Sequence, residues 1–104
     1  MKTSFELIKF YLQSGILKDF TPAENMVLMS LASTYSHISG CAFPSQDYIA
    51  LKTGLSRQHV NECIKVLKRE RMIFVTKVKR SNKYTFPHAD MKNYKHGKID
   101  DWLK

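Results

Sequence analysis

The sequence predicts a mainly helical domain: the helices come first, and a small two-stranded antiparallel β-hairpin follows near the C-terminus. Three observations carry that prediction. Four stretches before residue 72 begin at a Ser or Thr start signal and then repeat apolar residues at helical spacing. After residue 71 the pattern switches to the β-branched and aromatic "MIFVTKV" and "YTF", separated by the polar "KRSNK". At 104 residues, 43% of them apolar and 12 of them aromatic, the chain is one domain able to build a core without disulfides.

The first helix is "SFELIKFYLQS", capped near Thr3 or Ser4 and stopped by Gly15. Its apolar residues form two stripes: Phe5, Ile8 and Leu12 on one, Leu7, Phe10 and Tyr11 on the other. One stripe faces the core, and the other is more apolar than a monomer needs to expose. The second helix opens with Thr21 as cap, Pro22 at the first helical position and Glu24 at the capping-box spacing. Met26, Leu28, Met29, Leu31, Ala32 and Tyr35 make it apolar on most sides, the pattern of a central buried helix. "HISGCAFP" reads as a loop. Ser45 then caps "QDYIALKT", and Gly54 ends it where helices commonly finish left-handed. Ser56 caps "RQHVNECIKVLKRER", in which Val60, Cys63, Ile64 and Leu67 make a single core-facing stripe. The hairpin is expected to turn at Ser81–Asn82. Residues 1–15 read as an N-terminal helix suited to dimerisation, 21–86 as the core, and 87–104 as a tail in which Ile99, Trp102 and Leu103 form an apolar turn.

Charge is distributed unevenly. Residues 1–56 carry four lysines against four acids and are neutral, whereas residues 57–83 carry nine basic residues against Glu62 and Glu70, a balance of +7. The last 21 residues add +1, for a total of +8. A segment this one-sided points to a polyanionic partner, nucleic acid before an acidic protein or membrane surface. Cys41 and Cys63 lack paired CxxC spacing, so neither a disulfide framework nor a metal site is expected, and a reducing cytoplasm fits. No apolar run nears 18 residues, and Glu6 and Lys9 interrupt the N-terminal apolar stretch, so neither a membrane span nor a signal peptide is expected. No glycine-rich phosphate loop, carboxylate pair or nucleophile with a base suggests an enzyme or a cofactor.

Helices followed by a β-hairpin, with a sharp corner between the last two helices, make the winged helix-turn-helix layout. Ala50 is small where the two helices cross, Gly54 permits the positive φ of the turn, and Leu55 plugs the corner. Val60 and Cys63 lock the second helix inward. Its exposed face then holds Gln58, Asn61, Glu62, Lys65 and Arg69, flanked by Arg57 and Lys68. In this motif the second helix enters the major groove amino end first. Arg57 has the donors for guanine O6/N7, and Gln58 and Asn61 match adenine N6/N7. Ser56 caps this helix, whose free amides can also receive a phosphate. Lys65, Lys68 and Arg69 are placed for phosphates. Lys77, Lys79, Arg80, Ser81, Asn82 and Lys83 form a cationic wing that lies along the backbone or dips into the minor groove.

"FTPAENMVLMSLAS…CAFPSQDYIALKTGLSRQHVNECIKVLKRERMIFV" resembles the winged helix-turn-helix domain of plasmid and phage replication initiators. Thr21, Pro22 and Glu24; Phe43, Pro44 and Ser45; Ala50, Gly54, Leu55 and Ser56; and Val60, Ile64 and Leu67 carry the resemblance, which spans about residues 20–86. It implies double-stranded DNA binding on a plasmid, phage or similar bacterial element. Two positions depart from it. "RERMIF" stands where the family often has a glycine before the wing, which would extend the helix or change the wing angle, and His59 stands where Thr or Ser is common. With little chain beyond the wing, the expectation is an accessory factor or repressor rather than a full initiator. It would act as a homodimer on repeated or palindromic sites, in replication control, repression, partition or conjugative transfer, with a possible protein partner from the same element. The alternative is a winged-helix protein-interaction module that reads no DNA.

Overall fold

A computed structural model describes residues 2–90 of the chain. The expected order of elements holds, with four α-helices followed by a two-stranded antiparallel hairpin: α1 (Ser4–Ser14), α2 (Pro22–Ser33), α3 (Gln46–Thr53), α4 (Arg57–Arg69), β1 (Phe74–Val78) and β2 (Ser81–Thr85). Short 3₁₀ turns follow α1 at Ile16–Asp19 and β2 at Pro87–Asp90. The apolar turn expected at Ile99, Trp102 and Leu103 lies outside the described residues.

Each helix starts where its side-chain chemistry places it. Thr3 and Glu6 form a reciprocal capping box on α1, as do Thr21 and Glu24 on α2. Ser45 Oγ accepts from the Tyr48 amide at 3.0 Å, and Ser56 Oγ accepts from the His59 amide at 3.1 Å. On α1 the Leu7, Phe10 and Tyr11 stripe is buried while Phe5 and Leu12 face outward, 72% and 62% exposed. On α2 the buried residues are Val27, Leu28, Leu31 and Ala32, whereas Met26 is exposed. The helix is thus central but not enclosed on every side.

One feature differs from the sequence expectation and two more add to it, each for a non-local reason. The hairpin turns at Lys79–Arg80, with Val78 opposite Ser81, rather than at Ser81–Asn82. This register sets Val75 across from Tyr84, two residues on the core side. A two-residue Ser81–Asn82 turn would set Tyr84 across from Lys79 instead. Burial of the apolar pair outweighs the turn preference of Ser-Asn, and Lys79 adopts a φ of +56° to allow it. Next, the loop between α2 and α3 is not free. Ala42 pairs with Tyr84 on the other edge of β2 through two backbone bonds of 2.9 and 2.8 Å, and Ser36 pairs with Cys41. Last, the tail region starts inside the core: His88 and Ala89 are buried, and His88 packs against the ring of Phe10 at 5.4 Å and edge-to-face with that of Tyr11 at 5.6 Å. Lys2 Nζ donates to the His88 carbonyl at 2.9 Å, tying the start of the described chain to its end.

The missing glycine before the hairpin also has a definite outcome. The helix is not extended, since α4 ends at Arg69 with Glu70 as cap. Arg71 takes the left-handed conformation, φ +60°, that a glycine would have occupied. Its amide donates to the Lys68 carbonyl at 3.1 Å, and the Met72 amide donates to that of Leu67 at 2.9 Å. These two bonds are the Schellman pattern, with Met72 and Leu67 both buried beneath it.

A non-glycine residue in this region costs about 1–2 kcal/mol. Arg71→Gly should therefore raise stability, by about 0.5–1 kcal/mol once the added freedom of the unfolded glycine is counted, as measured by chemical denaturation. The buried His88 imidazole has its pKa lowered to about 4, first by loss of solvent and second by the charge of Lys2. The folded state therefore resists a proton that the unfolded state accepts near pH 6.5. Stability should be flat above that pH and fall as the solution is acidified towards about 4, by at most about 1.4 kcal/mol per unit for one proton. His88→Phe should flatten the part of a denaturation-versus-pH curve between about 5 and 6.5.

Candidate nucleic-acid interface

The corner between α3 and α4 is built as its sequence indicates. Gly54 sits at φ +78°, ψ +7°, and its amide closes α3 onto the Ala50 carbonyl at 2.9 Å. A Cβ there would meet nothing within 4 Å, so the glycine is needed for its backbone conformation and not for space. Ala50 and Leu55 are half-buried against the core, and Val60, Cys63, Ile64 and Leu67 are buried. Burial, followed by the charges of Glu24 and Glu62, pushes the Cys63 thiol up, so it stays protonated as a small apolar filler. Among the described residues no group of three His, Cys, Asp or Glu could hold a metal ion.

What remains outward on α4 is polar. Arg57, Gln58, His59, Glu62, Lys65, Lys68 and Arg69 are exposed, and Asn61 is half-buried. The Ser56 oxygen is occupied as the cap. The helix also breaks a local rule: α1, α2 and α3 each carry an acid in the first turn, but α4 carries none and places Arg57 there. A cation at the positive end of a helix is unfavourable by some tenths of a kcal/mol, and an approaching anion reverses the sign of that term.

The hairpin faces this end of α4. Between them runs a cleft of about 230 Å3 lined by Phe43, Pro44, Ser45, Gln46, Arg57, Lys77, Arg80, Ser81 and Asn82. Five site residues expected from sequence, Arg57, Lys77, Arg80, Ser81 and Asn82, thus meet in one place although up to 25 positions separate them. Strand alternation explains the share of Lys77 and Asn82, while Arg80 and Ser81 line the cleft from the turn and the residue after it. Lys77 and Asn82 are directly paired and lie on the face that also carries Val75 and Tyr84, the face turned to the body. Asn82 bridges inward, its Oδ1 accepting from Lys77 Nζ at 3.5 Å and its Nδ2 donating to the Tyr84 hydroxyl at 3.3 Å. Lys83 alternates to the opposite face, and Lys79 and Arg80 form the tip.

The remaining positions run along α4 away from the cleft. Arg69 is at the far end, about 18 Å from Arg57 at 1.5 Å per residue. There it pairs with Glu70 at 3.3 Å and lines a second groove with Asp19, Glu24 and Glu70 over an apolar floor of Ile16, Phe20, Val66 and Met72. The two ends of α4 therefore differ: the cleft at its amino end gathers cations, whereas at its carboxyl end Asp19, Glu24 and Glu70 stand against Lys68, Arg69 and Arg71. Sequence reasoning missed the contribution of α3: Gln46 Nε2 donates to Asn61 Oδ1 at 3.2 Å, and Asp47 Oδ1 meets Arg57 Nη1 at 3.3 Å. The signal available was weak, namely two polar residues directly after the Ser45 cap, 15 and 10 positions from their partners. Among the described residues, no helix is long and apolar enough to cross a membrane. No family model, curated protein or solved structure matches the chain.

Proposed function

We propose that the chain is a sequence-specific double-stranded DNA-binding protein of a bacterial plasmid, phage or other mobile element. The observation that carries this reading is the convergence of Arg57 with Lys77 and Arg80 on one cleft, beside an exposed polar face of α4. Duplex DNA presents a row of phosphates next to readable base edges, and this surface offers cations next to bidentate hydrogen-bonding side chains. In the proposed complex α4 lies in the major groove with Arg57, Gln58 and Asn61 at the base edges. The hairpin follows the neighbouring backbone, Lys65 and Lys68 meet phosphates along the groove wall, and Arg69, among acids, contributes least.

The exposed Phe5 and Leu12 of α1 suit a second copy, which would place two α4 helices on half-sites roughly 34 Å apart. Occupancy of such a site by a dimer is the common requirement of replication control, repression, partition and transfer accessory roles, and the assignment to a mobile element rests on the resemblance in sequence. A protein-interaction module without DNA reading leaves the cationic cleft without a role.

Selection of bound duplexes from a random pool tests the reading in one step, and the recovered sites should show a repeat or a dyad. Binding should weaken with salt, with a slope of roughly −0.9 per phosphate contacted. Arg57→Ala should relax discrimination by roughly 1–3 kcal/mol at one base position, while Arg80→Ala weakens every sequence about equally and lowers the salt slope. Arg69→Ala should change affinity least of the three. A chain that binds no duplex even at low salt overturns the proposal.

A further inference from the structure

From the two contacts that cross the corner, we infer that Gln46 and Asp47, on the first turn of α3, are specificity-determining positioning residues for base reading by α4. The inference rests on the DNA-binding reading and assigns a role to residues that do not themselves reach the bases.

The geometry is a matched pair of cross-links. Arg57 and Asn61 are four residues apart on α4 and so share one face. Gln46 and Asp47 are adjacent, and each reaches one of them: Gln46 Nε2 to Asn61 Oδ1 at 3.2 Å, Asp47 Oδ1 to Arg57 Nη1 at 3.3 Å. The Arg57–Asp47 pair is 67% and 74% exposed, so it adds little to folding stability. Its consequence is orientational. A guanidinium has five N–H donors in a rigid plane, and a contact at Nη1 favours one setting of that plane while other donors stay available for a guanine edge. In the same way, the Gln46 contact turns the Asn61 amide so that its oxygen faces α3 and its NH2 group points away from that contact. Ordering a long side chain before binding removes a cost worth roughly 2- to 10-fold in affinity, and only for the sequence that uses the ordered conformation.

Asp47 also sets up a test of unusual sign. It is the only acid on α3 and is exposed beside the cationic cleft, so it repels a polyanion in general while orienting Arg57 towards one base. Its removal should strengthen binding to arbitrary DNA and weaken discrimination together.

The experiment measures the chain of residues 1–104 against the duplex recovered by selection, against every single-base-pair variant of that duplex, and against an unrelated duplex. Asp47→Ala should bind the unrelated duplex as tightly as the wild type or tighter, and should lose roughly 2- to 10-fold of discrimination at the base pair that Arg57→Ala affects. The loss should vanish when Arg57 is already Ala, and Asp47→Glu, which keeps the carboxylate, should retain most of the preference. Gln46→Ala should behave likewise towards the base pair sensed by Asn61. Three results overturn the inference: unchanged discrimination in Asp47→Ala while Arg57→Ala loses it, a change at a base pair that Arg57 does not affect, or parallel loss of specific binding, unrelated binding and thermal stability. If the wild-type chain prefers no duplex, the DNA-binding reading falls first and the inference with it.

Discussion

The candidate interface depends on one short backbone contact, the pairing of Ala42 with Tyr84. Two bonds of 2.9 and 2.8 Å fasten the segment before α3 to the outer edge of β2. The next residues, Phe43 to Gln46, form one wall of the cleft, and the hairpin on the far side of Tyr84 forms the other. Tyr84 is buried and loses solvent, which pushes its hydroxyl up, while Asn82 donates to it and in turn accepts from Lys77. A two-stranded hairpin is marginal by itself. Here it borrows stability from the loop on one edge and from Val75 and Tyr84 packing on the core, so its basic tip is held beside Arg57.

Much of the fold was legible because its signals are local. Caps at Thr3, Thr21, Ser45 and Ser56, the stop at Gly54 and the Val60–Leu67 stripe each depend on residues within a turn or two, and helices obey such rules closely. What the local signals left out answers to distant partners. The hairpin register is chosen by which residues meet the core, so Ser-Asn lost to Lys79–Arg80. His88 is drawn inward by the rings of Phe10 and Tyr11, nearly eighty positions away. Arg71 takes a glycine's conformation because the Met72–Leu67 closure beneath it outweighs the local strain.

The candidate site divides along the same line. The types of residue and their gathering in residues 57–83 were visible as charge, since a count needs no geometry. Which of them converge was not visible. Alternation along β1 and β2 turns Lys77 towards the cleft and Lys83 away, and helix length carries Arg69 into acidic company. Cross-corner partners such as Gln46 and Asp47 are harder still. Each is an ordinary first-turn residue on α3, and its second contact exists only after the Gly54 turn has set α3 against α4.

The polarity of α4 links these features. Its amino end combines the positive end of the helix dipole with Arg57, Lys77 and Arg80, and lacks the first-turn acid found on the other three helices. At its carboxyl end Asp19, Glu24 and Glu70 line a groove with Arg69 and partly offset the basic residues there. A net charge of +8 spread evenly would attract a polyanion in any orientation, whereas the cleft at the amino end of α4 gathers Arg57, Lys77 and Arg80 in one place. That cleft lies at the end of α4 where Arg57 and Asn61 are braced from α3. In the proposed complex attraction and readout would act at the same end: long-range charge would bring the amino end of α4 to the duplex, and the contacts from α3 would decide which base edges it fits.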